Sequence, residues 1–221
     1  MRAALSLRSL SKRVTSATTI RHQDNYRQAA VRSISLGTNL TPSDDDSGAV
    51  TLQTVRPWYM DDSEGSNTKA DNERTMTDLF AGKTVALFGV PAPFTGTCTN
   101  EHYPGYKQLV KKFKDEGVDE IICYAVADPY AHHAWSNALG NDSTEITFLA
   151  DPDASFAVKY GVDGESRGVA QAYADHSIGR LNSIRFSMLV ADGIVKSFNV
   201  VEDAIKDAET LLSDLRHYSA A

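Results

Sequence analysis

Val85-Ala-Leu-Phe-Gly-Val90-Pro91-Ala-Pro-Phe-Thr95-Gly-Thr-Cys98-Thr99 is the stretch on which the reading of this chain turns. Its first six residues are apolar, short and continuous, as in a strand buried on both faces. Proline, glycine and threonine then force a sharp turn. Beyond it Tyr106, Leu109, Val110 and Phe113 recur at the spacing of one helix face. Cys98 therefore stands where a central strand gives way to a helix. Unpaired backbone N–H groups and the helix dipole favour an anion there, and the thiolate is the nucleophilic form of cysteine. Cys98 is a candidate nucleophile. The competing role is packing, since free cysteine is among the most buried residue types. A setting of Thr, Gly and Pro rather than an apolar face favours the reactive role.

Downstream the pattern alternates. The helix after Cys98 is expected to run to about Glu116 and stop at Gly117. Ile121–Val126 reads as a second buried strand, Pro129–Leu139 as a short helix with proline in its first turn, and Ile146–Ala150 as a third strand. Another short helix covers 153–160. Phe186–Val190 and Ile194–Phe198 flank Asp192-Gly193, a preferred two-residue hairpin turn. Val201, Ile205, Ala208, Leu212 and Leu215 mark a closing amphipathic helix with Glu202 and Asp203 in its first turn. Strands alternating with helices, plus a hairpin, predict an α/β fold: a mixed central sheet flanked by helices.

Upstream the character changes. Residues 1–35 hold seven Lys/Arg against the single acid Asp24, with six serines and no long apolar core. Ala3, Leu7, Leu10 and Val14 fall on one side of a helical wheel, with Arg8 and Lys12 opposite. That composition predicts a transit peptide rather than a secretory signal. Arginine content and helical moment favour the mitochondrion, with the matrix as destination, over plastid or cytoplasm. The alternative is a basic tail that binds an anionic partner. The chain carries −7 and this segment +6, which leaves −13 on the remainder. So acidic a body is a poor match for nucleic acid or an anionic membrane surface. No run approaches the ~20 apolar residues of a membrane span. Residues 36–77 read as polar linker, with Ala49–Val55 alternating as an edge strand or hairpin arm. Residues 78–221 read as one domain, long enough for a single core.

Four blocks in order carry a family resemblance. Pro91-x-x-x-Thr95-x-x-Cys98 resembles the active-site signature of the peroxiredoxins, and its continuation to Tyr106 resembles their type II, atypical two-cysteine (peroxiredoxin-5-like) subfamily. Gly117–Pro129, Ala134-Trp135 and Arg185–Lys196 fit the same subfamily. The resemblance implies a thioredoxin-like fold and a thiol-dependent peroxidase that reduces hydrogen peroxide and alkyl hydroperoxides through a cysteine sulfenic acid. It implies thioredoxin, glutaredoxin or glutathione as reductant, a homodimer, and no metal or organic cofactor.

By the same resemblance Thr95 hydrogen-bonds the thiolate and the peroxide, Pro91 shields the sulfur, and Arg185 supplies a fixed charge. From the residues alone, Thr95 is equally a helix N-cap and Pro91 a strand terminator. A surface arginine at a strand start is the commoner case for Arg185, although a guanidinium suits a developing oxyanion, and only the family block raises it above Arg180. Cys123 follows Cys98 by 25 residues. Two cysteines in an intracellular chain suggest redox use, yet Cys123 lies in an apolar strand where thiols are usually inert. It is either a resolving cysteine or a packing thiol. His102, His132 and His133 lack metal-ligand spacing, and the His132-His133 pair departs from the apolar stretch usual before Ala134-Trp135. Ala170–Asn182 matches nothing in the family and precedes Arg185. Two rivals remain: a non-catalytic redox sensor or binding module on the same fold, and a cysteine hydrolase with His102 as base.

Overall fold

The computed structural model describes residues 34–41, 50–59, 67–164 and 182–219. The basic leader expected over 1–35 lies outside them except for its last two residues, as does the 170–182 stretch except for Asn182. In chain order the elements are β1 (Thr51–Thr54), α1 (Lys69–Asn72), β2 (Glu73–Thr75), α2 (Met76–Phe80) and β3 (Thr84–Gly89). A π-helical turn (Cys98–His102) leads into α3 (Tyr103–Asp115), followed by β4 (Glu120–Ala125), α4 (Pro129–Ala138), β5 (Thr147–Ala150) and α5 (Ser155–Tyr160). The short strands β6 (Asp163–Gly164) and β7 (Asn182–Ser183) pair with each other, and β8 (Phe186–Ala191), β9 (Ile194–Val200) and α6 (Asp207–Ser219) complete the chain.

Seven strands form one mixed sheet in the order β2-β1-β5-β4-β3-β8-β9. β3, β4 and β5 run parallel, and β8 joins β3 antiparallel. β3 is buried on both faces, as its sequence predicts. Val85 and Leu87 enter a core with Leu79, Phe80, Tyr124, Phe156 and Met188. Ala86 and Phe88 enter the opposite core with Cys98, Tyr106, Phe113, Trp135 and Leu211. Each fully buried large apolar side chain contributes about 1.5–3 kcal/mol, so a central strand that serves two cores is held from both sides. The β8–β9 hairpin turns at Asp192 (φ 48°) and Gly193 (φ 74°), the paired left-handed conformation that an Asp-Gly turn supplies.

Two expectations need correction. The closing helix starts at Asp207 rather than Val201. Asp203 Oδ1 accepts the Ile205 N–H at 3.1 Å, a local turn that competes with helix and leaves Ile205 65% exposed. Residues before 78 also do more than link: Ile34, Leu40, Val50, Leu52 and Met76 are buried in the core. Ile34 donates its N–H to the Tyr160 carbonyl, and Thr75 and Asp78 cap α2 reciprocally. Among the described residues no helix is long and apolar enough to cross a membrane.

Candidate active site

β3 ends at Gly89, where the Phe186 ring of β8 lies over the backbone and leaves no room for a side chain: a Cβ there would run into that ring. That close pairing of Gly89 with Phe186 sets Arg185, the residue before β8, beside the turn that leaves β3. Ser183 Oγ donates to the Val90 carbonyl at 3.1 Å and ties the two segments together. Pro91 is buried at the strand end. The turn then reverses through Phe94, whose positive φ of 60° is unusual for a bulky residue, and which stands 60% exposed. Thr95 Oγ donates to the Ala92 carbonyl at 2.9 Å, and the Thr95 carbonyl accepts from Thr99 N–H.

The chain enters its helix by one wide turn, Tyr103 N–H donating five residues back to the Cys98 carbonyl. Such π-turns concentrate at functional sites. Cys98, His102 and Tyr106, four residues apart, all face inward and are fully buried. Phe88 packs beneath them, stacked on the Tyr106 ring at 3.9 Å and edge-on to His102.

Arg185 Nη2 lies 3.4 Å from Cys98 Sγ and donates to it. Its other terminal nitrogen, Nη1, sits 3.0 Å from His102 Nδ1. A guanidinium has only donors, so His102 Nδ1 is the acceptor and the ring proton belongs on Nε2. Nε2 lies 2.8 Å from Asp207 Oδ2. Tyr106 hydroxyl donates to that same oxygen at 2.6 Å, and Ser187 hydroxyl to Asp207 Oδ1 at 2.7 Å. Burial holds the His102 pKa below its usual 6.5 against the opposing pull of Asp207, and Arg185 adds to the lowering. Burial likewise pushes the Tyr106 hydroxyl well above 10, reinforced by Asp207. Around the sulfur, Trp135 donates its indole N–H to Thr99 Oγ at 3.1 Å and closes the apolar side.

The structure therefore brings Arg185 onto Cys98, 87 residues away in sequence. Thr95 stays in the same turn but spends its proton on Ala92. His102 does not serve as a base beside the sulfur, because both its nitrogens are engaged, by Arg185 and by Asp207; the hydrolase rival loses its catalytic residue. Cys123 is a free thiol, fully buried on β4 opposite Phe88. Burial, and then the neighbouring Cys98, push that thiol well above its ordinary value. His132 is buried against Trp135 and Phe148, with Nδ1 unpaired and its pKa lowered by burial to about 4. His133 is half-buried and pairs with Asn137. Tyr106, Ser187 and Asp207 were not singled out by the sequence. One signal existed: Asp207, Leu211 and Leu215 fall four apart, a charged residue in an apolar stripe.

The Redoxin family model matches residues 53–212. Peroxiredoxin-2F, mitochondrial, of Arabidopsis thaliana is 34% identical over 200 residues, 90% of this chain and 89% of its own length. The chain belongs to the redoxin family, among its type II peroxiredoxins. A second similar relative is the mitochondrial peroxiredoxin-2F of Oryza sativa, 35% identical over 68% of this chain and 69% of that protein. Among solved structures, reduced Prx3 in complex with hydrogen peroxide from Vibrio vulnificus is similar at TM-score 0.65 and 31% identity, over 85% of this peroxiredoxin and 99% of that chain. The sheet described above is thus the thioredoxin-like fold of the family.

Proposed function

We propose that Cys98 is the reacting sulfur of this thiol-dependent peroxidase and that Arg185 holds the charge that develops around it. The observation that carries the assignment is the Arg185 donor 3.4 Å from the buried Cys98 sulfur. As a thiolate, Sγ attacks the terminal oxygen of hydrogen peroxide or an alkyl hydroperoxide. The O–O bond breaks, that oxygen stays on sulfur as a sulfenic acid, and the other leaves as water or alcohol once protonated. Arg185 offers fixed, permanently charged donors to the oxyanion as it forms. Thr95, its own proton directed at Ala92, keeps oxygen lone pairs for the peroxide hydroxyl. Pro91 covers the sulfur from water.

An external thiol then attacks the sulfenate, releasing water and leaving a mixed disulfide, which a second thiol opens to restore Cys98. Thioredoxin, glutaredoxin or glutathione supplies those thiols. Cys123 acts as a packing thiol in this reading, supported by its burial in β4 and its raised pKa. The test is peroxidase turnover with thioredoxin, and with glutathione plus glutaredoxin, in wild type, Cys98→Ser and Cys123→Ser. Cys98→Ser abolishes turnover with every reductant, whereas Cys123→Ser keeps turnover with both; a loss confined to one reductant makes Cys123 a resolving cysteine instead. Turnover surviving in Cys98→Ser overturns the assignment.

Mitochondrial localisation belongs to the same proposal, with the matrix as destination. Its support is the basic, acid-poor first 35 residues together with the two mitochondrial relatives. A fusion of residues 1–35 to a reporter, imported into isolated mitochondria, tests it. A homodimer, implied by the family resemblance, completes the reading, and sedimentation velocity checks it.

A further inference from the structure

Asp207 is 3% exposed at the first turn of α6. Burying a carboxylate is costly unless it is paired and fully hydrogen-bonded. Here three side chains from three elements converge on it: His102 from the π-turn, Tyr106 from α3 and Ser187 from β8. Tyr106 and Ser187 hydroxyls are satisfied by any acceptor, a neutral amide oxygen included. What a carboxylate adds is that it accepts from every direction and donates from none.

That property propagates. A neutral imidazole carries one ring proton, and whichever nitrogen holds it is fixed by what the other faces. Facing a pure acceptor at 2.8 Å, Nε2 must hold the proton. Nδ1 then presents a lone pair, and only a lone pair tolerates the Arg185 Nη1–H at 3.0 Å. With the proton on Nδ1, two donors would oppose each other and the guanidinium would swing away from the sulfur. The hydrogen-bond direction is consistent along the whole row: Asp207 accepts from His102, His102 accepts from Arg185, and Arg185 donates to Cys98.

We infer that Asp207 is a positioning residue: it fixes the tautomer of His102 and thereby holds Arg185 against the Cys98 sulfur. The inference rests on Cys98 and Arg185 acting as proposed above. The carboxylate and the guanidinium stand on opposite sides of the ring, each hydrogen-bonded to one of its nitrogens.

The test uses the full-length protein with three readouts: imidazole 15N chemical shifts, thermal stability, and the second-order rate of Cys98 oxidation by hydrogen peroxide. In wild type the His102 signals are those of the Nε2–H tautomer; an Nδ1–H ring overturns the inference without any variant. Asp207→Leu removes the acceptor for Nε2–H and leaves only the Arg185 contact to favour that tautomer, so the Nδ1–H ring, with the guanidinium detached, becomes populated. The oxidation rate then falls on the order of 10- to 100-fold, the size of loss seen when a metal-ligating histidine loses the partner that orients it. Asp207→Asn keeps an oxygen toward His102 and turns its NH2 to the Ser187 hydroxyl, so the tautomer and most of the rate return. Ser187→Ala removes a donor from the same carboxylate and costs stability, but at least about tenfold less rate than Asp207→Leu. If the rate merely follows stability across the three variants, Asp207 is structural and the inference fails. Arg185→Gln separates the two levels. A slow Arg185→Gln beside a fast, folded Asp207→Leu sinks the tautomer alone, whereas a fast Arg185→Gln sinks the assignment of Arg185 itself.

Discussion

Replacing Arg185 by Gln removes the cation that touches the Cys98 sulfur and leaves a shorter neutral amide. At the observed 3.4 Å and an effective dielectric of about 20, a unit charge pair is worth about 5 kcal/mol. Arg185 is half-buried, so solvent screens part of that. Removal of one preorganised donor from a developing oxyanion typically costs about 3–4 kcal/mol, or 10²–10³-fold in rate. The expected loss in the second-order rate with hydrogen peroxide is therefore on the order of a few hundred-fold. Trp135 provides the assay. Its indole N–H binds Thr99, next to Cys98, so its fluorescence should report oxidation of the sulfur. The chain has two tryptophans, and Trp58→Phe removes the exposed one from the stopped-flow signal. Arg185→Lys belongs in the same experiment. One ammonium cannot contact both Sγ and His102 Nδ1 as the guanidinium fork does, so its rate falls between wild type and Gln. A folded Arg185→Gln within about threefold of wild type, well under 1 kcal/mol, would refute the electrostatic account.

His132 makes the protein acid-sensitive. Its folded pKa of about 4 lies below the usual 6.5, so the unfolded state binds the proton more readily. Stability is thus fully present above pH 6.5 and declines as pH falls from there toward 4, by about 3 kcal/mol in all. His132→Phe keeps the ring packing on Trp135 and Phe148, drops the orphaned Nδ1, and should flatten the melting temperature over that range; an unchanged slope rejects it. His102, faced by Asp207, Arg185 and Tyr106, has its pKa lowered mainly by burial. Peroxide reactivity should therefore show no step from a histidine titrating at the ordinary 6.5, and a step there that vanishes in His102→Gln contradicts the assignment. Gly89→Ala drives a methyl into Phe186 and should destabilise by about 1–3 kcal/mol. Phe186→Leu in the same chain restores part of the loss, and thermal melts of the single and double variants decide.

What was legible in the sequence depended on how local the cause was. β3 and the β8–β9 hairpin follow from a continuous apolar run and an Asp-Gly pair, and Cys98 at the corner follows from the turn residues around it. Arg185 reaches the sulfur only through the antiparallel β3–β8 register, which pairs Gly89 with Phe186. That long-range pairing leaves no local signature, and the family block alone pointed to it. The row behind Arg185 was hidden for a different reason. Tyr106 counted as an apolar helix position, and its hydroxyl went unaccounted for. His102 drew attention as a base or a metal ligand, whereas its role is to accept from an arginine. The sequence pattern puts Asp207 inside a helix that begins at Val201; the turn at Asp203 delays that helix, so Asp207 stands at its start instead.

The two cysteines show why that row matters more than burial. Both are fully buried in the same core, and burial alone favours the neutral, inert thiol. Cys123 has that environment and the neighbouring Cys98, and both push its thiol well above its ordinary value. Cys98 differs in being met by a guanidinium. A lone arginine delivered into such a core would itself be an uncompensated charge. The Asp207 carboxylate supplies the opposite charge, but direct contact would draw the guanidinium off the sulfur and into an ordinary salt bridge. The neutral His102 ring between them lets Arg185 be neutralised at a distance while its second nitrogen remains on Cys98. On the proposed roles of Cys98 and Arg185, reactivity at this buried sulfur depends on a spacer that conducts hydrogen bonding without carrying charge, and His102 must stay unprotonated for Arg185 to remain in place.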